Sequence, residues 1–184
     1  MITKKQAASP LLIIVMGVSG TGKSTLAKYL SNDLNFEFVE ADDFHTIQAK
    51  TMMSNSVSLT PAIRQEWVER LCGHLVNLAL EGKSVVLAYS GLKAGHRQQF
   101  RQLGFYQRFL MLVANNEAIK NRIESRAGHF IQADFLQNQL VDMEYPSTEE
   151  SDIEVIDAND DFATIAKRAS ALCVAHEIRA EMTK

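Results

Sequence analysis

The chain has 184 residues, 46% of them apolar and 22% charged, with a formal net charge of −3. This fits one globular domain with a sizeable core and excludes a disordered or fibrous chain. The small negative charge predicts no nucleic-acid or anionic-membrane partner, and Cys72 and Cys173, lacking metal or redox spacing, read as core thiols in a reducing compartment.

Residues 1–9 read as a loose tail. Lys4 and Lys5 precede an apolar run, as in a signal peptide, but the run is short and has no small-residue cleavage pattern. No stretch is long enough to span a membrane, so a cytoplasmic chain is expected. Leu11 to Met16 is a continuous apolar run and predicts a buried strand. It leads into Gly17-Val18-Ser19-Gly20-Thr21-Gly22-Lys23-Ser24, a full match to G-x-x-x-x-G-K-[ST]. Leu26, Leu30 and Leu34 then recur at helical spacing.

Strand, glycine loop and helix in this order build a phosphate site. Gly17, Gly20 and Gly22 let successive N–H groups turn inward, and the new helix adds unpaired donors and a positive dipole end. Residues Ser19 to Thr25 would hold ATP. Lys23 would reach the β and γ phosphates, and the Ser24 hydroxyl would ligate Mg²⁺.

Phe36 to Glu40 alternates and is aromatic-rich, which predicts a second strand ending at Ala41-Asp42-Asp43-Phe44-His45. Acids at the carboxyl end of such a strand stand where open α/β sheets bind ligands. Asp42 would take a proton from a substrate hydroxyl or hold Mg²⁺ through water; alternatively, Asp42 or Asp43 only caps the next helix. Residues 46–59 are polar with weak periodicity, and 43–60 is the expected acceptor-binding segment. Thr60 and Pro61 open a clear helix with Ile63, Trp67, Leu71, Leu75 and Leu78 on one stripe.

Val85 to Ala88 predicts another buried strand. Lys93, His96, Arg97 and Arg101 follow it, either to hold an anion or as a solvated helix face. Tyr106 to Val113 is a further strand, and Asn115 caps a helix from Asn116 to Arg126. Arg122 and Arg126 lie four apart, leading into the glycine-broken Arg126-Ala127-Gly128-His129-Phe130. This pattern predicts a lid, spanning about 126–146, that closes cations over the transferring group. Ala133 to Val141 reads as a short helix, Ile153 to Ile156 as the last strand, and Asp157 to about Glu181 as a closing helix. The expected class is α/β: a three-layer P-loop kinase fold with about five parallel strands, helices on both faces and a small lid. The acid after the second strand, with no apolar run ending in a typical Walker B Asp, points to small-molecule and nucleoside-monophosphate kinases.

Four blocks resemble the gluconokinase family, from Val15 to Pro146: Met16 to Ser24; Ala41 to His45; Ser90-Gly91-Leu92-Lys93 with Arg97; and Arg126 to Phe130 with Gln139 and Pro146. The resemblance implies ATP-dependent phosphorylation of D-gluconate at its 6-hydroxyl, in a homodimeric cytoplasmic enzyme. It implies Asp42 as base, Lys93 and Arg97 as substrate or phosphoryl contacts, and Arg122 and Arg126 as lid residues. His45, Arg64 and His129 fall at further substrate positions. The acceptor half departs from the family pattern. Thr46, Ala49, Met52, Ser56, Pro61 and Ile63 replace a Pro, an Asn, a Lys, a Gly and two acids, while Glu40, Ala41 and Tyr89 replace an Asp, a Gly and a Cys. Three readings stay open: a gluconokinase with a divergent acceptor site, a related kinase for another small hydroxylated acceptor, or a nucleotide-binding regulator without transfer activity.

Overall fold

The computed structural model describes residues 9–55, 57–124 and 133–182. The elements alternate: β1 (Leu11–Met16), α1 (Lys23–Leu34), β2 (Glu37–Glu40), a 3-10 turn (Ala41–Phe44), α2 (Ile47–Ser54), α3 (Pro61–Leu80), β3 (Val85–Ala88), α4 (Ala94–Phe100), β4 (Tyr106–Val113), α5 (Asn116–Glu124), α6 (Ala133–Asp142), β5 (Ile153–Asp157) and α7 (Phe162–Met182). The five strands form one sheet in the order β2-β3-β1-β4-β5, with every neighbouring pair parallel. Ile14 sits at the centre, opposite Leu87 on one side and Phe109 on the other. The expected class and strand number are what the chain adopts.

Alternation along β1 explains the layers. Leu12, Ile14 and Met16 face one core with Trp67, Leu71 and Leu75 of α3 and Phe100 of α4. Ile13 and Val15 face the other with Leu26 and Leu30 of α1 and Ile165, Ala169 and Cys173 of α7. A strand buried on both faces needs a continuous apolar run, and β1 supplies one. The phosphate loop therefore rises from the most constrained strand.

Two boundaries differ from the sequence reading. Residues 47–54, expected to be irregular, form α2, whose first turn is capped by Thr46 Oγ1 accepting the Ala49 N–H at 3.0 Å. Only Ala49 of this helix is buried, so little apolar periodicity marks it. The closing helix starts at Phe162, because residues to Asp157 belong to β5 and Asp161 Oδ1 accepts the Thr164 N–H at 3.0 Å. Among the described residues no helix is long and apolar enough to cross a membrane.

Candidate active site

The phosphate loop is shaped by glycines. Gly20 has φ +84°, and a Cβ there would stand 2.9 Å from Ile119 of α5. Gly17, at φ +141°, would drive a Cβ to 2.6 Å from the Leu112 carbonyl of β4. These close approaches let β4 and α5 brace the loop from behind. Within the loop, Thr21 Oγ1 and Lys23 Nζ both donate to the Val18 carbonyl, at 2.8 and 3.0 Å. The Ser19 N–H donates to Gln139 Oε1 of α6 at 2.7 Å. Ser24 and Thr25 follow in the first turn of α1.

Glu40 ends β2 beside this loop, and the Ser24 side chain is hydrogen-bonded to it. Burial raises its carboxyl above the ordinary value, the Ser24 bond opposes that, and the Asp42 charge adds to it. The sequence reading counted Glu40 only as a departure from the family. Its position at a strand's carboxyl end, two residues before Asp42, was the signal that marks it as part of the site.

Asp42 lies on the 3-10 turn with its side chain 72% exposed. The turn is fixed from beneath. Trp67 Nε1 of α3 donates to the Ala41 carbonyl at 2.7 Å. His45 stacks on the same indole at 4.2 Å between ring centroids. His45 was expected to touch substrate, but it is buried and packed; its Nε2 stands 3.9 Å from Asp42 Oδ1. Burial lowers its pKa below the usual imidazole value, against the pull of Asp42, so the ring is neutral at pH 7. The structure gives it the work of holding the Asp42 turn.

Arg64 and Lys93 are brought together from α3 and the end of β3. Arg64 Nη1 pairs with Asp142 of α6 at 2.8 Å. Lys93 Nζ lies 3.5 Å from Asp142 and 3.4 Å from Glu144. Glu144 also accepts the Ala94 N–H at 2.8 Å. Burial alone would raise the Asp142 pKa, but the Arg64 hydrogen bond and charge outweigh it and bring it below the usual range.

Arg97 departs from expectation. Its side chain is 1% exposed and bonds the protein on every nitrogen. Nε and Nη2 donate to Glu150 at 2.9 and 2.6 Å, and Nη1 donates to the Gly91 and Glu144 carbonyls at 2.9 and 3.0 Å. It is a structural clamp behind the Lys93 turn, not a substrate contact. Arg122, expected over the transferring group, donates to the Thr21 carbonyl at 3.4 Å and to the Ala158 carbonyl at 2.6 Å, so it supports the loop. Arg126 and His129 lie outside the described residues.

The Arg97 clamp has a measurable pH signature. The Arg97 hydrogen bonds, against burial and with help from Arg101, hold the Glu150 carboxyl down to about 2 from an ordinary 4.5. A depressed carboxylate stabilises the fold fully above its unfolded value and ceases to do so as pH falls through its folded one. Folding stability is therefore expected to decline between about pH 4.5 and pH 2, and Glu150→Gln to flatten that part of the curve in urea titrations run at several pH values.

A phosphate loop on a central strand, an acid after the carboxyl end of another strand of the same sheet and a pair of cations gathered by Asp142 define a P-loop kinase, an ATP-using phosphotransferase. An AAA-domain family profile matches residues 12–146. The thermosensitive gluconokinase of Escherichia coli K12 is 32% identical over 155 residues, covering 84% of this chain and 83% of that one. A gluconokinase of Arabidopsis thaliana is 34% identical over 152 residues, covering 76% of this chain and 80% of its own. The crystal structure of a gluconokinase from Sinorhizobium meliloti 1021 superposes with a TM-score of 0.83 at 28% identity, covering 96% of this chain and 99% of that one. The chain belongs to the gluconokinase family.

Proposed function

We propose that this chain transfers the γ-phosphoryl group of ATP to the 6-hydroxyl of D-gluconate. The observation that carries the reading is that the complete phosphate loop and the exposed Asp42 both follow the carboxyl ends of strands in one parallel sheet. Lys23 and the loop N–H groups hold the triphosphate. Asp42 takes the acceptor's hydroxyl proton as that oxygen bonds to the γ phosphorus, and the bond to ADP breaks in line with it. Arg64 and Lys93 receive the carboxylate of the sugar acid. Arg126 completes the charge over the transferring group and His129 the acceptor contacts.

Mg²⁺ fits this set. Ser24 offers a hydroxyl, the hydrogen-bonded Glu40 offers a carboxylate, and hard oxygen donors with substrate phosphates are what the ion takes. Among the described residues no group of three or more His, Cys, Asp and Glu side chains could hold a metal ion. When bound, it neutralises phosphate charge. A cytoplasmic single-domain enzyme that works as a homodimer belongs to the same reading, and sedimentation gives the mass.

A second reading, a kinase for a different hydroxylated acceptor, is favoured by one observation. Ala49 is buried and Ile63 half-buried where the family has polar groups, and a site loses affinity when hydroxyl partners become apolar. ADP release from Mg·ATP over a panel of sugar acids, sugars and nucleosides separates the two. Gluconate-dependent ADP is the expected result. ADP with another acceptor alone re-assigns the substrate, and nucleotide binding without turnover points to a regulator.

A further inference from the structure

Helix α6 touches both halves of the site from positions one turn apart. Gln139 Oε1 takes the Ser19 N–H of the phosphate loop at 2.7 Å. Asp142 takes Arg64 and Lys93 at 2.8 and 3.5 Å. Residues three apart share a helix face, so both contacts form in one placement of α6. Each contact imitates a substrate. A carbonyl oxygen on a phosphate-loop amide does what a phosphate oxygen does there. A carboxylate between an arginine and a lysine does what a sugar-acid carboxylate would do.

We propose that α6 is a built-in competitor for both substrates, with Gln139 standing in for the nucleotide's phosphate and Asp142 for the acceptor's anionic group. The assignment of Asp142 rests on the reading of Arg64 and Lys93 as acceptor contacts; that of Gln139 does not. The two contacts share one rigid helix, so displacing either weakens the other. Nucleotide and acceptor then bind cooperatively, each by releasing the helix for its partner. Lys93 keeps Glu144 at 3.4 Å when Asp142 leaves, so Arg64 is the cation that changes partner.

The coupling has a calculable size. A protein that binds only in its released state has its apparent affinity reduced by the released fraction. One hydrogen bond and one partly exposed carboxylate shared by two cations make that fraction about a third to a tenth. By linkage the same factor acts in both directions.

The test is calorimetric titration of the full chain with Mg²⁺ and a non-hydrolysable ATP analogue. Asp142 engages Arg64 and Lys93, on the acceptor side of the site and away from the phosphate loop's own sequence. Even so, Asp142→Asn is expected to tighten analogue binding by about threefold to tenfold. Gln139→Ala is expected to act in the same direction, and the double variant to gain less than the product of the two singles, since both release one helix. In initial-rate assays both variants lower the KM for D-gluconate by a like factor. Unchanged or weaker analogue binding in Asp142→Asn overturns the proposal, whatever the acceptor. Tighter binding in Asp142→Asn with no gluconate turnover by either protein upholds the competitor and rejects gluconate as substrate. Gluconate turnover with unmoved analogue affinity does the reverse.

Discussion

Asp42→Asn is expected to lower kcat by about 10²- to 10⁴-fold, the range lost when a positioned general base is removed. The asparagine keeps the size of the side chain and the turn that carries it, because that turn is held by backbone and by Trp67. The Ala41 carbonyl bond and the His45 stack do not involve the Asp42 carboxylate. Nucleotide affinity is therefore expected to stay within about twofold, since the loop's donors are untouched. Single-turnover kinetics with a nucleotide titration separates the two quantities. A variant with near-normal kcat would remove Asp42 from the chemistry and leave Glu40 as the nearest acid.

Arg97→Ala is expected to cost about 3–5 kcal/mol of folding stability, or roughly 10 °C in melting temperature for a chain of this size. The reason is asymmetry. With the arginine gone, Glu150 stays close-packed at 13% exposure and loses its two shortest bonds. Arg101 still reaches Glu150 at 3.0 Å, which argues for the lower end of the range. The Gly91 and Glu144 carbonyls lose their donor as well. Arg97→Lys cannot restore the paired geometry, so it is expected to recover less than half of the loss. Urea denaturation measures both. A loss under 1 kcal/mol would mean that water replaces the guanidinium, and the clamp would not be structural.

The nucleotide half was legible because its signal is local. Glycines, a lysine and a serine at fixed spacing on a strand-to-helix turn need no tertiary information, and β1 and α1 frame them as read. The strands were legible for a related reason: β1 and β3 are short apolar runs buried on both faces, and the edge strand β2 alternates. The acceptor half was not, because its residues get their meaning from partners far along the chain. Arg97 and Lys93 look alike as cations after one strand. Only the fold puts Glu150 against the first and leaves the second half-exposed. The family resemblance sets His45 at a substrate position, whereas α3 places Trp67 beneath it and packs the ring against the indole. Helix α2 escaped notice since just one of its side chains enters the core, and Thr46 was its single announcing residue.

Trp67 is the chain's sole tryptophan. Its indole is buried, hydrogen-bonded to the residue before Asp42 and stacked on His45. Fluorescence excited selectively in the indole band, beyond tyrosine absorption, thus originates at one address, directly under the acid turn. A change in emission on adding an acceptor would report that turn and not a molecular average. The fold has installed an optical gauge where chemistry would otherwise need an engineered label.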